Sequence, residues 1–137
     1  MKIDQHDTTA VVVRHNGRFL LIKRATPPEK GLWCFPGGHA DEGETIKECA
    51  EREAKEEAGE IGVEKEPFYI FTHEPRLFHR HRCHVFFGKV AGKPDPGKEA
   101  ADIGFFSVEE IKKLELTHFT IQILNHMADK GLLDDES

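Results

Sequence analysis

Apolar and polar positions change period several times along the 137 residues. Thr9 to Arg14 (TAVVVR) is rich in β-branched residues and predicts a strand. Asn16-Gly17 is the strongest short hairpin signal, so Arg18 to Lys23 (RFLLIK) is the returning strand. Pro27, Pro28 and Gly31 mark a loop, and Leu32 to Phe35 is a short apolar strand stopped by Pro36. A helix then opens near Thr45, where Thr45-Ile46-Lys47-Glu48 fits a capping box, and closes at Gly59. FYIFT (68–72) and CHVFFGKV (83–90) read as strands, with a polar segment, 73–82, joining them. GKPDPG (92–97) reads as a turn or loop, and 104–106 as one more short strand. Ser107 to Glu110 is a second capping box, opening a short helix that reaches about Leu114. Ile121, Leu124 and Met127 recur at helical period in Thr117 to Lys130, with Gly131 as the stop. Residues 1–8 are polar and expected to fray, as is the tail DDES. This order predicts an α/β fold, a mixed sheet with a helix on each side.

Composition narrows the function. One domain over 1–137 is expected from the length. The net charge of −6 argues against a nucleic-acid partner, which needs a basic face to displace counterions. No apolar run approaches the ~18 residues of a membrane span, and the N-terminal stretch lacks an apolar signal-peptide core. Cys34, Cys49 and Cys83 are scattered and odd in number, which fits a reducing, cytoplasmic setting better than a disulfide framework.

The stretch 37–59 (GGHADEGETIKECAEREAKEEAG) carries the chemistry. At 100° per residue Glu53 and Glu57 lie about 40° apart on the helix, with Glu56 close to the same face. Like charges at this spacing repel by roughly a few tenths of a kcal/mol per pair, so the cluster asks for a counter-charge. Carboxylate oxygens suit Mg²⁺, or Mn²⁺, rather than a soft metal. Arg52 can reach Glu56 at i+4 and orient it. Ile46, Cys49, Ala50 and Ala54 make a small-residue face that can lie close on a sheet. Gly37 and Gly38 let backbone approach a ligand, or offer a carbonyl to the metal.

In this stretch the chain resembles the Nudix hydrolases. Their pattern G-x5-E-x7-R-E-U-x-E-E-x-G-U, with U aliphatic, is met by Gly38, Glu44, Arg52, Glu53, Glu56, Glu57 and Gly59. LWCFPGG before it and FFSVEEI after it are similar as well. The chain departs from the pattern at Glu60, where an aliphatic residue is usual, and Ala54 is smaller than usual. The resemblance implies a Nudix-type α/β/α sandwich. It implies hydrolysis of the P–O–P bridge of a nucleoside diphosphate linked to a further group X. Glu53, Glu56 and Glu57, with the Gly38 carbonyl, would hold Mg²⁺ or Mn²⁺; Arg52 would orient a glutamate; Glu44 would be a secondary ligand or a structural partner. Glu53 is one candidate general base. Glu99, in PGKEAAD, is the other, as base or further ligand, with Asp102 a weaker substitute.

Substrate choice lies outside the box. Arg24 ends its strand near where the family often places a phosphate-facing basic residue, a surface Lys/Arg pair being the plainer reading. Trp33 or Phe35 could stack on a nucleobase, although at least one is expected in the core. In HRHRCH (79–84), alternation puts His79, His81 and Cys83 on one side and Arg80, Arg82 and His84 on the other. A basic edge meeting phosphate or ribose through Arg80 and Arg82 is the favoured reading; zinc is disfavoured, because no second ligand pair sits at finger spacing. His118-Phe119 could line a base pocket, though packing of Phe119 is the plainer reading. Pro75, fifteen residues after Glu60, resembles a proline found in family members that cleave ADP-ribose. ADP-ribose or a related nucleotide sugar is therefore placed ahead of a nucleoside triphosphate, as in enzymes that clear 8-oxo-purine nucleotides. A nucleotide-sensing module without catalysis is a further alternative, disfavoured because every box carboxylate is kept. The resemblance allows a homodimer.

Overall fold

A computed structural model describes residues 4–95, 97 and 100–134. Eleven elements run in chain order: β1 (Asp4–His15), β2 (Arg18–Arg24), β3 (Trp33–Cys34), β4 (Gly37–His39), α1 (Ile46–Ala58), β5 (Gly59–Val63), β6 (Tyr69–Arg76), β7 (His79–Pro94), β8 (Ala100–Phe106), α2 (Val108–Ile111) and α3 (His118–Asp129). They form one mixed sheet whose main path is β3-β2-β1-β7-β5, with β4 on β1, β6 on β7 and β8 on β2. The centre is the parallel pair β1 and β7, running from Asp4 opposite His79 to Val13 opposite Gly88. The other pairings are antiparallel.

The period-2 pattern of the central strands divides the core. Ala10 and Val12 of β1, Phe19 and Leu21 of β2, and Val85 of β7 face one side, packed with Ile111, Ile123 and Met127 of α2 and α3. Val11, Val13, Leu20, Ile22 and Phe86 face the other, against Ala50, Ala54 and Ala58 of α1. Each face of the sheet thus has its own helical cover, as expected for the α/β class. The small buried residues of α1 bring it so close to β1 that the Cys49 thiol lies 3.3 Å from the Thr9 hydroxyl.

Both capping boxes are present as read: Thr45 with Glu48, and Ser107 with Glu110. Four expectations need correction. Residues 4–8 do not fray, because β7 supplies their hydrogen-bond partners in parallel register. The polar segment 73–82 does not lie between two strands but belongs to them: β6 runs to Arg76 and β7 begins at His79, paired across a turn at Leu77–Phe78. β7 also continues to Pro94, into the stretch read as GKPDPG turn, because β5 pairs with it there. Finally, α2 ends at Ile111, short of Leu114. β5 itself was not foreseen. It follows α1 without a break, with Gly59 serving as the helix C-cap. Of the tail DDES, only Asp134 falls among the described residues.

Candidate active site

β4 and α1 build one wall of a cavity of about 380 Å³. Its floor is the outer end of β1 and β7, through Thr8, Thr9, His81 and Cys83, and the β2–β3 connection brings Arg24, Pro28 and Glu29 to it. β4 runs antiparallel to β1 with Gly38 opposite Thr9. The two glycines of β4 are there for space. A Cβ on Gly37 would overlap the Thr9 carbonyl, and a Cβ on Gly38 would lie 2.5 Å from the Glu53 carboxyl carbon. Side chains of α1 therefore come down directly on the β4 backbone. Gly37 donates its N–H to Glu57 Oε1 at 2.8 Å.

Arg52 ties the acidic residues together. Its Nε and one terminal nitrogen donate to both oxygens of Glu44, at 2.7 and 3.1 Å. The other terminal nitrogen donates to Glu53 Oε1 at 2.8 Å and to Glu56 Oε2 at 3.2 Å. A further bond reaches the His39 carbonyl at 3.1 Å. Such a planar fork can hold several carboxylates in fixed relative positions, which an ammonium cannot. The Arg52 hydrogen bonds, joined by one from the Asp41 backbone N–H, hold the Glu44 carboxyl down to about 2. Glu44 stays ionised, and the same bonds raise the pKa of Arg52.

The three box glutamates do not share one environment. Glu53 and Glu57 line the cavity. Glu56, 59 % exposed, leans outward toward Arg52. The same Arg52 nitrogen makes its shorter bond to Glu53, 2.8 against 3.2 Å, so it holds the cavity-lining carboxylate more closely than Glu56. At the cavity the box therefore offers carboxylate oxygens of Glu53 and Glu57 beside the Gly38 backbone, an all-oxygen set that fits a hard divalent cation.

Residues read outside the box divide. Arg24 lines the cavity, with its Nε donating to the Pro28 carbonyl at 2.8 Å. Phe35 does not: it is fully buried against Phe19, so it is corrected from a stacking residue to a core residue. Trp33 packs edge-to-face on Phe106, ring centres 4.9 Å apart. Arg80 and Arg82 are not at the cavity either. Alternation along β7 turns their side chains to the opposite face, and Arg80 pairs with Glu74 at 3.0 Å. The histidines of the same run occupy the place the arginines were expected to take. Phe119 lines the cavity while packing against both cores. His118 borders an adjoining smaller pocket, its backbone N–H bonded to Glu29. Asp102 is exposed on β8, opposite Lys23. Glu99 lies outside the described residues.

Three histidines from three strands line the cavity: His39, His73 and His81. Burial, reinforced by its histidine neighbours, pushes His81 down to about 4, and burial lowers His39 and His73 as well. At neutral pH these rings are uncharged donors and acceptors. Cys34 and Cys83 also line the cavity, but burial pushes both thiols up to about 12, so neither is a thiolate.

A family model described as the NUDIX domain matches residues 4–127. The chain belongs to the Nudix family. It is a hydrolase acting on phosphorus anhydrides. An ADP-ribose pyrophosphatase of Methanocaldococcus jannaschii is 32 % identical over 117 residues, covering 82 % of this chain and 69 % of that protein. A putative 8-oxo-dGTP diphosphatase of Bacillus subtilis is 34 % identical over 89 residues, 60 % of this chain and 51 % of the relative. The chain thus spans about two thirds of the first relative and about half of the second. A MutT NUDIX hydrolase from Burkholderia pseudomallei has the same fold, with a TM-score of 0.79 at 27 % identity over 89 % of this chain and 97 % of that one.

Sequence reasoning missed Glu29, His39 and His73 as cavity residues. His39 had a signal, since it directly follows the glycine pair. Glu29 had none because its loop carries no pattern that says which way a side chain points, and His73 had none because only the pairing of β6 with β7 brings it in.

Proposed function

We propose that this Nudix chain hydrolyses the P–O–P bridge of ADP-ribose or a related nucleotide sugar, with Mg²⁺ as its metal and Mn²⁺ as a substitute. The observation that carries the substrate is the 32 % identity, over most of this chain, to a protein described as an ADP-ribose pyrophosphatase. The reaction centre is the cavity wall where Glu53 and Glu57 meet the Gly38 backbone. Glu53, Glu56, Glu57 and the Gly38 carbonyl are assigned as the metal-holding groups. When bound, the metal supplies charge for the phosphate oxygens and a more acidic water.

The chain's own groups do the rest. Arg52 positions Glu53 and Glu56, and Glu44 in turn fixes the plane of Arg52 through two hydrogen bonds. Arg24 keeps one Nε bond to Pro28, which aims the remaining guanidinium donors at an anionic phosphate. Uncharged His39, His73 and His81 offer hydrogen bonds suited to ribose hydroxyls. Glu53 is assigned as the base that takes the proton of the attacking water, with Glu99 as the competing assignment. A cytoplasmic enzyme is part of this reading, supported by three free, buried cysteines.

The Bacillus subtilis relative favours a second reading, a nucleoside triphosphate pyrophosphatase for 8-oxo-purine nucleotides, but it matches less of this chain. A panel of ADP-ribose, other nucleotide sugars and 8-oxo-dGTP, assayed with Mg²⁺ and with Mn²⁺, separates the two. Highest kcat/KM on ADP-ribose or a nucleotide sugar is expected. Preference for 8-oxo-dGTP would overturn the assignment.

A further inference from the structure

Beside the cavity, the parallel register of β1 and β7 places metal-ligating side chains two apart on both strands: Asp4 opposite His79, and His6 opposite His81. All four lie on one face. Asp4 Oδ2 is 3.0 Å from His6 Nε2 and 3.4 Å from His79 Nδ1. The three atoms fall within 4.8 Å of one another, and among the described residues no other set of three His, Cys, Asp or Glu side chains does so. We propose that Asp4, His6 and His79 form a binding site for a borderline divalent transition metal, zinc in the first place, distinct from the carboxylate site of the Nudix box.

Ligand atoms about 2.1 Å from a tetrahedral zinc lie about 3.4 Å from each other. The Asp4–His79 distance of 3.4 Å matches that value, and the Asp4–His6 distance of 3.0 Å is about 0.4 Å shorter. Two imidazoles and one carboxylate also leave a fourth position for water or another ligand. The donor chemistry separates this site from the box. Imidazole nitrogen prefers zinc, nickel and copper, whereas the all-oxygen box prefers magnesium and manganese. The two sites therefore differ in the metal each prefers, and saturating Mg²⁺ is needed to keep zinc from the box.

The other nitrogen of His79 supports the assignment. With a metal on Nδ1, the ring must carry its proton on Nε2. That atom lies 3.1 Å from His81 Nε2, which then accepts. Metal-bound histidines are commonly oriented by such an outer hydrogen bond. His81 itself lines the cavity, so the outer shell runs from the metal to a cavity-lining ring. Occupancy would fasten the first residues of β1 to the first residues of β7.

The test is calorimetric titration of the full chain with Zn²⁺ alone as ligand, in saturating Mg²⁺ so that the box is filled. Wild type is expected to take up one equivalent. His79→Ala and His6→Gln are each expected to weaken uptake by about 100-fold or more, beyond what loss of an outer-shell partner costs. Glu57→Gln is expected to leave Zn²⁺ affinity within about 3-fold of wild type, since it touches only the box. His6 is 43 % exposed, so His6→Gln decides the matter if His79→Ala does not fold. Absence of Zn²⁺ uptake by wild type would overturn the proposal. So would wild-type affinity in His6→Gln, or loss of uptake in Glu57→Gln. Because the readout is binding and not hydrolysis, failure of the ADP-ribose reading would leave this test standing.

Discussion

Gly38→Ala should injure catalysis while sparing the fold. The added Cβ would lie 2.5 to 2.7 Å from the carboxyl atoms of Glu53, whereas ordinary contact begins at 3.4 Å. The Glu53 carboxylate must therefore retreat by about 0.9 Å. It sits at the end of a flexible side chain, so the stability cost should stay below the ~1–3 kcal/mol of overpacking in a rigid core. Chemistry is less forgiving: a misplacement near 1 Å costs about 100-fold in rate, or ~2.7 kcal/mol of barrier. Gly37→Ala is the control. Its Cβ would overlap the Thr9 carbonyl, a backbone atom that cannot move without parting β4 from β1. We expect Gly38→Ala to lose about 100-fold in kcat with a urea midpoint near wild type, and Gly37→Ala to be strongly destabilised. Steady-state kinetics and urea unfolding on the same preparations measure both. A folded Gly38→Ala with activity within about 3-fold of wild type would refute the placement of Glu53 at the reaction centre. Equal destabilisation by the two substitutions would refute the distinction between side-chain and backbone contact.

Three further outcomes are expected. Thr45→Ala removes the hydroxyl that accepts the Glu48 N–H at 3.1 Å, and should cost about 1 kcal/mol in urea unfolding with the kinetics unchanged; a cost below ~0.3 kcal/mol would show that this cap is idle. Arg52→Lys keeps the charge but loses the fork to Glu44 and Glu53, so kcat should fall by at least about 10-fold with KM little changed; a purely KM effect would mean that Arg52 contacts substrate instead. His81 is held down to about 4 in the folded state, below its ordinary 6.5. Between those values the unfolded chain binds the proton and the folded chain does not, so stability rises with pH across that window and is lost as pH falls from 6.5 toward 4. In chelator, His81→Gln should flatten that part of the stability–pH curve; an unchanged slope would contradict the assignment.

The parts legible in the sequence are those whose signals are local. The α1 capping box, the small-residue face of α1 and the spacing of its acidic residues can all be read within one short stretch, and the helix lies where it was read. Long-range pairing was not legible. Residues 4–8 look frayed and 79–82 look like part of a polar joint because neither carries an apolar period, and only the alternation in HRHRCH hints at a strand. They are strands because each supplies the other's hydrogen bonds, and no local pattern reports that. The same pairing decided the site. It turned Arg80 and Arg82 away from the cavity and brought His81 into it, joined by His39 of β4 and His73 of β6. Phe35 shows a second limit. An aromatic beside a glycine-rich turn looks the same in sequence whether it faces solvent or core, and here it fills the core. The three glutamates were placed correctly on the helix, but only Glu53 and Glu57 line the cavity while Glu56 is 59 % exposed, a difference that helical angles alone do not contain.

The central claim is that Glu53 and Glu57, at the Gly38 backbone, hold a divalent metal that drives cleavage of a phosphorus anhydride. Its most direct measurement is product release from ADP-ribose by wild type and Glu57→Gln, each with Mg²⁺ and with excess chelator. Wild type with Mg²⁺ is expected to release AMP and ribose 5-phosphate. None is expected with chelator, and a loss of several orders of magnitude is expected in a Glu57→Gln protein that unfolds like wild type. Near-normal turnover by folded Glu57→Gln, or by wild type in chelator, would contradict the claim.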